Sequence, residues 1–182
     1  MLAEDFFARE TLVVARELIG TELVVGRCAG RIVETEAYKT DAASHYVTRR
    51  NQAVFMRETH AHVYVYFIYG MYHCLNFTTD STAPGAILIR AAEPLRGIEL
   101  MRQRRRTTDI RKLARGPGCL CQAFAIDLSF NGLPIGKKIR VLPRRDKPAI
   151  ETTRRIGISQ AVELPWRFYE RDSQFTSPHP RE

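Results

Sequence analysis

The chain is 182 residues long, 45% hydrophobic and 26% charged, with 28 Lys and Arg against 20 Asp and Glu for a formal charge of +8. That length suits one domain with a substantial core, and the composition excludes a wholly disordered chain. The longest apolar run, residues 63–72, is about half the roughly 20 residues of a bilayer span, and the acidic start at Glu4 and Asp5 is unlike a signal peptide, so a soluble cytoplasmic protein is expected.

Residues 5–19 predict a helix: Asp5 can cap it, Phe7, Val14 and Leu18 recur at helical spacing, and Gly20 suits its end. Residues 21–26 and 31–38 predict two strands joined around Cys28-Ala29-Gly30. In the second strand Ile32, Glu34 and Glu36 fall on one face by the two-residue alternation. Two carboxylates there either line a polar cleft or face water. Residues 41–59 are polar and aperiodic, a long irregular segment of the kind that carries binding residues on a rigid scaffold. Residues 63–77 are rich in β-branched and aromatic side chains and predict a strand pair, with Tyr69 at or beside the tip of a hairpin turning near Gly70.

A loop over 78–85 and a short buried strand over 86–91, carrying Arg90, come next. Residues 93–106 predict a helix with Leu95, Ile98 and Met101 as its apolar stripe. Arg115-Gly116-Pro117-Gly118 breaks the chain before a short helix over 120–126, whose exposed N–H groups are of the kind that hold phosphate. Further strands are expected at 138–142, 154–159 and 167–169. Residues from 173 onward read as a frayed end, which gives one domain over 1–175 and a flexible tail over 176–182.

Arginine dominates the basic residues, 23 against 5 lysines. Genomic base composition alone can favour Arg over Lys. The cluster Arg102, Arg104, Arg105, Arg106, Arg111, Lys112 and Arg115 is nevertheless denser than a solvated face requires and points to phosphate contact, hence to a nucleic-acid partner. Without an export signal, Cys28, Cys74, Cys119 and Cys121 read as reduced thiols. One residue separates Cys119 from Cys121, against about two to four in common zinc pairs. Although His60 and His62 would complete four ligands on paper, no metal site is expected and the cysteines read as small buried side chains.

Three features converge: acids in one strand, tyrosines with one near a hairpin tip, and an Arg-rich surface. Aromatic rings stack on unpaired bases, and an enzyme acting on a duplex base must take it out of the stack and fill the gap. A carboxylate facing the sugar can activate water against a glycosidic bond. Each feature has a plainer reading, since Tyr64, Tyr66, Tyr69 and Tyr72 could be core or sheet-face residues, and Glu34 and Glu36 surface acids. The alternative function is a non-catalytic nucleic-acid-binding module that uses Tyr38, Tyr66 and Tyr69 as a stacking platform. A hydrolase of free nucleosides would leave the hairpin and the arginines idle.

The segments Arg31-Ile32-Val33-Glu34-Thr35-Glu36-Ala37-Tyr38, Ala43-Ser44-His45, Tyr64-Val65-Tyr66-Phe67-Ile68-Tyr69-Gly70-Met71-Tyr72 and Ile87-Leu88-Ile89-Arg90-Ala91, then Glu93-Pro94, closely resemble the alkyladenine (3-methyladenine, methylpurine) DNA glycosylase family. Arg115-Gly116-Pro117-Gly118, Arg155-Ile156-Gly157-Ile158 and Trp166-Arg167-Phe168 fit in the same order. The resemblance spans nearly the whole chain. It implies a single mixed α+β domain with a curved antiparallel sheet, surrounding helices and a β-hairpin that enters the DNA minor groove. It implies base excision repair: damaged purines (3-methyladenine, with 7-methylguanine, hypoxanthine and ethenoadenine as further candidates) flipped from double-stranded DNA and hydrolysed off. A monomer is expected because no heptad or obvious exposed apolar strip calls for a partner, and no cofactor is expected.

By the same resemblance Glu36 is the general base, in preference to Glu34, and Arg90 helps position the attacking water. The Ile156 carbonyl is a further water contact. Tyr38, His45 and Tyr66 wall the base pocket, Asn76 crowds the amine of guanine, and Tyr69 fills the space of the flipped nucleotide. Arg111, Lys112, Arg115 and Gly118 are the candidate phosphate contacts. A desolvated tyrosine face attracts a cationic alkylpurine by roughly 1–2 kcal/mol, which fits this pocket. With no lysine at these positions to form a Schiff base, simple hydrolysis that leaves an uncut abasic site is expected. Two departures stand out: Cys119 replaces a usual basic residue, and Ala61 a frequent glycine.

Overall fold

Successive side chains on a strand point to opposite faces, and here that alternation gives one sheet two different jobs. The computed structural model describes residues 1–49 and 54–178. Its strands are β1 (Glu22–Val25), β2 (Cys28–Tyr38), β3 (Val63–Ile68), β4 (Tyr72–Thr79), β5 (Gly85–Arg96), β6 (Ile139–Leu142), β7 (Ile150–Thr153) and β8 (Arg167–Glu170). They form a single antiparallel sheet in the order β3-β4-β5-β2-β1-β6. The long β2 pairs with β5 on one edge; on the other it carries β1 along its start and β8 along Glu34, Thr35 and Glu36. β7 pairs with β8. The sheet curls, and the helices are few and short: α1 (Glu4–Phe7), α2 (Thr11–Glu17), α3 (His45–Thr48), α4 (Val54–Glu58), α5 (Ile98–Arg105) and α6 (Pro117–Phe124).

Val63 and Val65 of β3, Leu75 and Phe77 of β4, and Ile87 and Ile89 of β5 belong to the main core, together with Phe7, Val14 and Leu18 from the N-terminal segment and Leu120 and Phe124 of α6. The residues between them, Tyr64 and Tyr66, Cys74 and Asn76, Leu88 and Arg90, line a cavity instead. One face of the same three strands is thus solid hydrocarbon, and the other is polar, aromatic and hollow.

Several elements differ from the sequence-based expectation. The helix over 5–19 is two helices. The chain turns at residues 8–10 and restarts at Glu10, whose carboxylate accepts the N–H groups of Leu12 (2.8 Å) and Val13 (3.0 Å), a local cap that interrupts the apolar pattern. The joint between the next strands is Gly26-Arg27, so Cys28-Ala29-Gly30 lies inside β2. Ile32 does not share a face with Glu34 and Glu36. The β2–β5 register shifts between Ile32 and Glu34, and Ile32 turns into the core while the two acids reach Arg90. Residues 41–59 contain α3 and α4; residues 50–53 lie outside the described residues.

Thr78 and Thr79 extend β4, and β5 runs on through residues 93–96, where a helix was expected. There Glu93 pairs with Arg31 and Pro94 with Gly30, next to a register shift that accommodates a proline. Leu95 is consequently exposed, and α5 begins only at Ile98. The expected strand at 154–159 is a loop, preceded by β7. Pro117 sits in the first turn of α6, so that helix starts earlier than expected. Thr176 and Ser177, expected in a flexible tail, are buried, whereas residues 179–182 lie outside the described residues.

Candidate active site

The cavity, about 640 Å³, is of the size that takes a small organic ligand. Strands β2 to β5 supply one wall, residues 42–49 a second, Gly116–Cys119 at the start of α6 a third, and the loop over 156–160 a fourth. Tyr38, His45, Tyr66, Asn76, Arg90, Ile156, Gly118 and Tyr69 all line it, so residues far apart in the chain converge.

Glu36 lies just behind that wall and is fully buried. The Ile156 amide donates to its Oε1 at 2.7 Å, while the Tyr38 hydroxyl at 2.8 Å and Arg90 Nη1 at 3.2 Å donate to Oε2. A carboxylate has about four lone-pair sites, so three are taken and one remains on Oε1. All three donors line the cavity. The Ile156 contact is made by its amide, where the sequence suggested its carbonyl for the water. Burial, then the adjacent Glu36 charge, push the Tyr38 phenol well above its ordinary range, so it stays a proton donor. The Arg155 guanidinium stacks 4.6 Å from the Tyr38 ring centroid.

Arg90 is shared. Its Nε donates to Glu34 Oε1 at 3.1 Å, and Glu34 also accepts from Arg167 Nε at 2.7 Å and from the Ser177 amide at 2.6 Å. Burial opposes the Glu34 charge, but Arg90 and Arg167 prevail and hold its carboxyl below the usual carboxylate value. Glu34 therefore stabilises the fold above that usual value, and the contribution is lost as pH falls through its lowered one. Wild type should therefore lose more stability than Glu34→Gln on acidification through that range, measured by thermal unfolding.

His45 opens α3 behind the Ser44 cap. Its Nδ1 hydrogen-bonds the Tyr64 hydroxyl at 2.9 Å, and its ring meets Tyr66 edge-on at 4.4 Å between centroids. Burial, reinforced by Arg49, lowers the imidazole to about 4, so it is neutral at physiological pH. Because the unfolded side chain titrates near 6.5, its contribution to stability is complete above that value and declines as pH falls towards 4. An NMR titration should place the His45 midpoint at about 4; a midpoint near 6.5 would contradict the buried ring. Burial also raises Tyr66 and takes Tyr64 up to about 12. Asn76 is buried, and its amide donates to the carbonyls of Tyr64 (3.1 Å) and Cys74 (3.3 Å).

Tyr69 occupies the hairpin tip and is 78% exposed, beside exposed Met71. Both Tyr69 (φ 54°) and Gly70 (φ 65°) are left-handed, as a primed hairpin turn demands, and Met71 N–H donates back to the Ile68 carbonyl at 3.3 Å. Beside the hairpin turn, Gly118 lets α6 approach Tyr72. A Cβ there would lie 2.7 Å from the Tyr72 ring. Gly118 thus has a packing role beside its candidate phosphate contact, and Gly118→Ala should lower stability by about 1–2 kcal/mol in urea unfolding.

The basic cluster divides. Arg104 and Arg105 turn inward, to the Ala123 and Leu113 carbonyls (2.8 and 3.0 Å). Arg115 donates to the Thr176 carbonyl at 2.5 Å. Arg111 and Lys112 lie on the short 3₁₀ turn Ile110–Lys112 and are exposed beside Asp109. Cys119 lies 2.9 Å from Arg105 Nη2, and His60 pairs with Glu4 at 3.2 Å. Sequence reasoning gave no role to Tyr64 or Arg155. Tyr64 was reachable, because it has the same strand parity as Tyr66.

A family model described as methylpurine-DNA glycosylase (MPG) matches residues 5–174. Proteins bearing the name "Putative 3-methyladenine DNA glycosylase" are similar along nearly their whole length. The Agrobacterium fabrum protein is 48% identical, covering 96% of this chain and 91% of its own. The Rhizobium meliloti protein is 46% identical, covering 95% and 94%. The Nitrosospira multiformis protein is 45% identical, covering 94% and 91%.

Proposed function

The chain belongs to the methylpurine-DNA glycosylase family, and on that premise we propose that it excises alkylated purines, 3-methyladenine first among them, from duplex DNA by hydrolysis. The observation that carries this reading is a buried carboxylate with one uncommitted lone pair, set behind an aromatic cavity that faces an exposed hairpin tyrosine.

In this reading Tyr69 enters the stack and the damaged nucleotide turns into the cavity, between Tyr38 and the edge-packed His45 and Tyr66. A water bound to the free side of Glu36 Oε1, between Tyr38, Arg90 and Ile156, attacks C1′. The bond from C1′ to the purine nitrogen breaks with its electron pair going to the base, and the water's proton goes to Glu36. An N3-alkylated purine leaves as a neutral molecule, so no acid is required. A neutral His45 adds no charge to repel a cationic base. The amide of Asn76, held by two carbonyls, fixes a polar edge against which a guanine amine would crowd. No lysine lines the cavity among the described residues, which favours hydrolysis without strand cleavage.

The test is base release. Duplex DNA treated with a methylating agent is incubated with the protein, the free purines are separated by chromatography, and strand integrity is read on a denaturing gel. Free 3-methyladenine with uncut strands is expected. DNA binding without release would favour a stacking module, and faster cleavage of free nucleosides than of duplex would favour a nucleoside hydrolase.

A further inference from the structure

We propose that Glu34 is a positioning residue, and that the segment around Thr176 and Ser177 is a strap that completes the site by holding it. The inference rests on the reading of Glu36 as the general base. A guanidinium placed by one carboxylate prefers a two-pronged approach, because paired N–H···O bonds are stronger than single ones. If Arg90 answered to Glu36 alone, it would close on both oxygens and occupy the Oε1 lone pair that the water needs. Glu34 works against this by drawing Nε to itself at 3.1 Å, and Arg90 meets Glu36 through Nη1, on Oε2 at 3.2 Å.

Glu34 can compete for Arg90 only if it is itself fixed. Arg167 Nε on β8 and the Ser177 amide hold its two oxygens, at 2.7 and 2.6 Å. The strap is tied down in turn. Arg115 donates to the Thr176 carbonyl at 2.5 Å, and Arg167 Nη2 to the Ser177 carbonyl at 3.4 Å. The buried Ser177 hydroxyl has no partner among the described residues, so what the strap supplies is its backbone N–H. The charged and titratable groups around this centre include Glu34, Glu36 and Tyr38 of β2, Cys74 of β4, Arg90 of β5, Arg167 of β8 and Arg155 behind Tyr38. Two acids and two arginines thus meet at hydrogen-bond range inside the protein, and Glu34→Gln changes the division of Arg90 between the acids.

The experiment measures single-turnover release of 3-methyladenine and duplex affinity for wild type, Glu34→Gln, Ser177→Ala and Ser177→Pro, with thermal unfolding to establish folding. Glu34→Gln is expected to slow release roughly tenfold at unchanged duplex affinity, as loss of positioning should. Ser177→Ala, which keeps the N–H, should match wild type, and Ser177→Pro, which lacks it, should follow Glu34→Gln. Folded Glu34→Gln with the wild-type rate overturns the proposal, as does a loss that tracks duplex affinity. If Glu34→Gln does not unfold cooperatively, Ser177→Pro decides by the same two readings. Absence of release by wild type would instead overturn the glycosylase reading on which the proposal stands.

Discussion

Glu36→Gln is expected to abolish release of 3-methyladenine while duplex binding persists. General-base catalysis contributes about 10²–10⁴-fold, and an amide cannot take a proton from water at neutral pH. The replacement keeps the shape of the side chain but not its hydrogen-bond capacity. Three donors converge on the carboxylate, from Ile156, Tyr38 and Arg90, and one end of an amide is itself a donor. The variant must therefore either strand the Ile156 amide or part from Arg90, so some loss of stability accompanies the loss of activity. Arg90 retains Glu34 as a counter-charge, which limits that loss. Release should be followed by chromatography under single turnover, with duplex binding followed separately by fluorescence anisotropy. Equal release by variant and wild type would remove Glu36 from the role of base.

Tyr69→Ser is expected to weaken productive binding by about 10- to 100-fold, because stacking of an aromatic ring on a base is worth roughly 1–3 kcal/mol. The side chain makes little contact with the rest of the protein at 78% exposure, so the loss should appear with DNA and not in the folded state. A duplex carrying fluorescent ethenoadenine reports this directly, since its emission rises when the base leaves the stack. Wild type should raise the signal and Tyr69→Ser should flatten it. Thermal unfolding of the two proteins should be the same or should slightly favour the variant. An undiminished rise with Tyr69→Ser would place the wedge elsewhere on the hairpin.

The hairpin and its turn were legible in the sequence because their signals are local: β-branched and aromatic residues on both sides of a single glycine. Of the cavity face, Tyr38, His45, Tyr66 and Asn76 were reached through the family resemblance; the alternation that joins Tyr64 and Cys74 to them does not by itself say which face is hollow. The misread elements are those decided by distant partners. Residues 93–96 have a helical pattern, yet β2 offers them a free edge and they extend the sheet. Ile32 left the face of Glu34 because of a register shift, which no periodicity encodes. The C-terminal segment is polar, and Thr176 and Ser177 are buried because of partners far earlier in the chain, the Glu34 carboxylate and the Arg115 guanidinium. Arginines in one cluster turn out to have opposite destinations, carbonyls inside for Arg104 and Arg105 and solvent for Arg111. Composition registers the charge but not its direction.

The left-handed backbone of Tyr69 has a consequence for any attempt to engineer the protein. An L-residue other than asparagine or aspartate costs about 1–2 kcal/mol in that conformation, which achiral glycine adopts freely, and this one also leaves a large ring in water. Glycine or asparagine at position 69 would relax the turn and make the surface more soluble. Selection for heat resistance or expression yield alone would therefore drift away from tyrosine and, if Tyr69 is the wedge as proposed, would enrich well-behaved proteins without the activity. A library built on this scaffold needs an activity filter at every round.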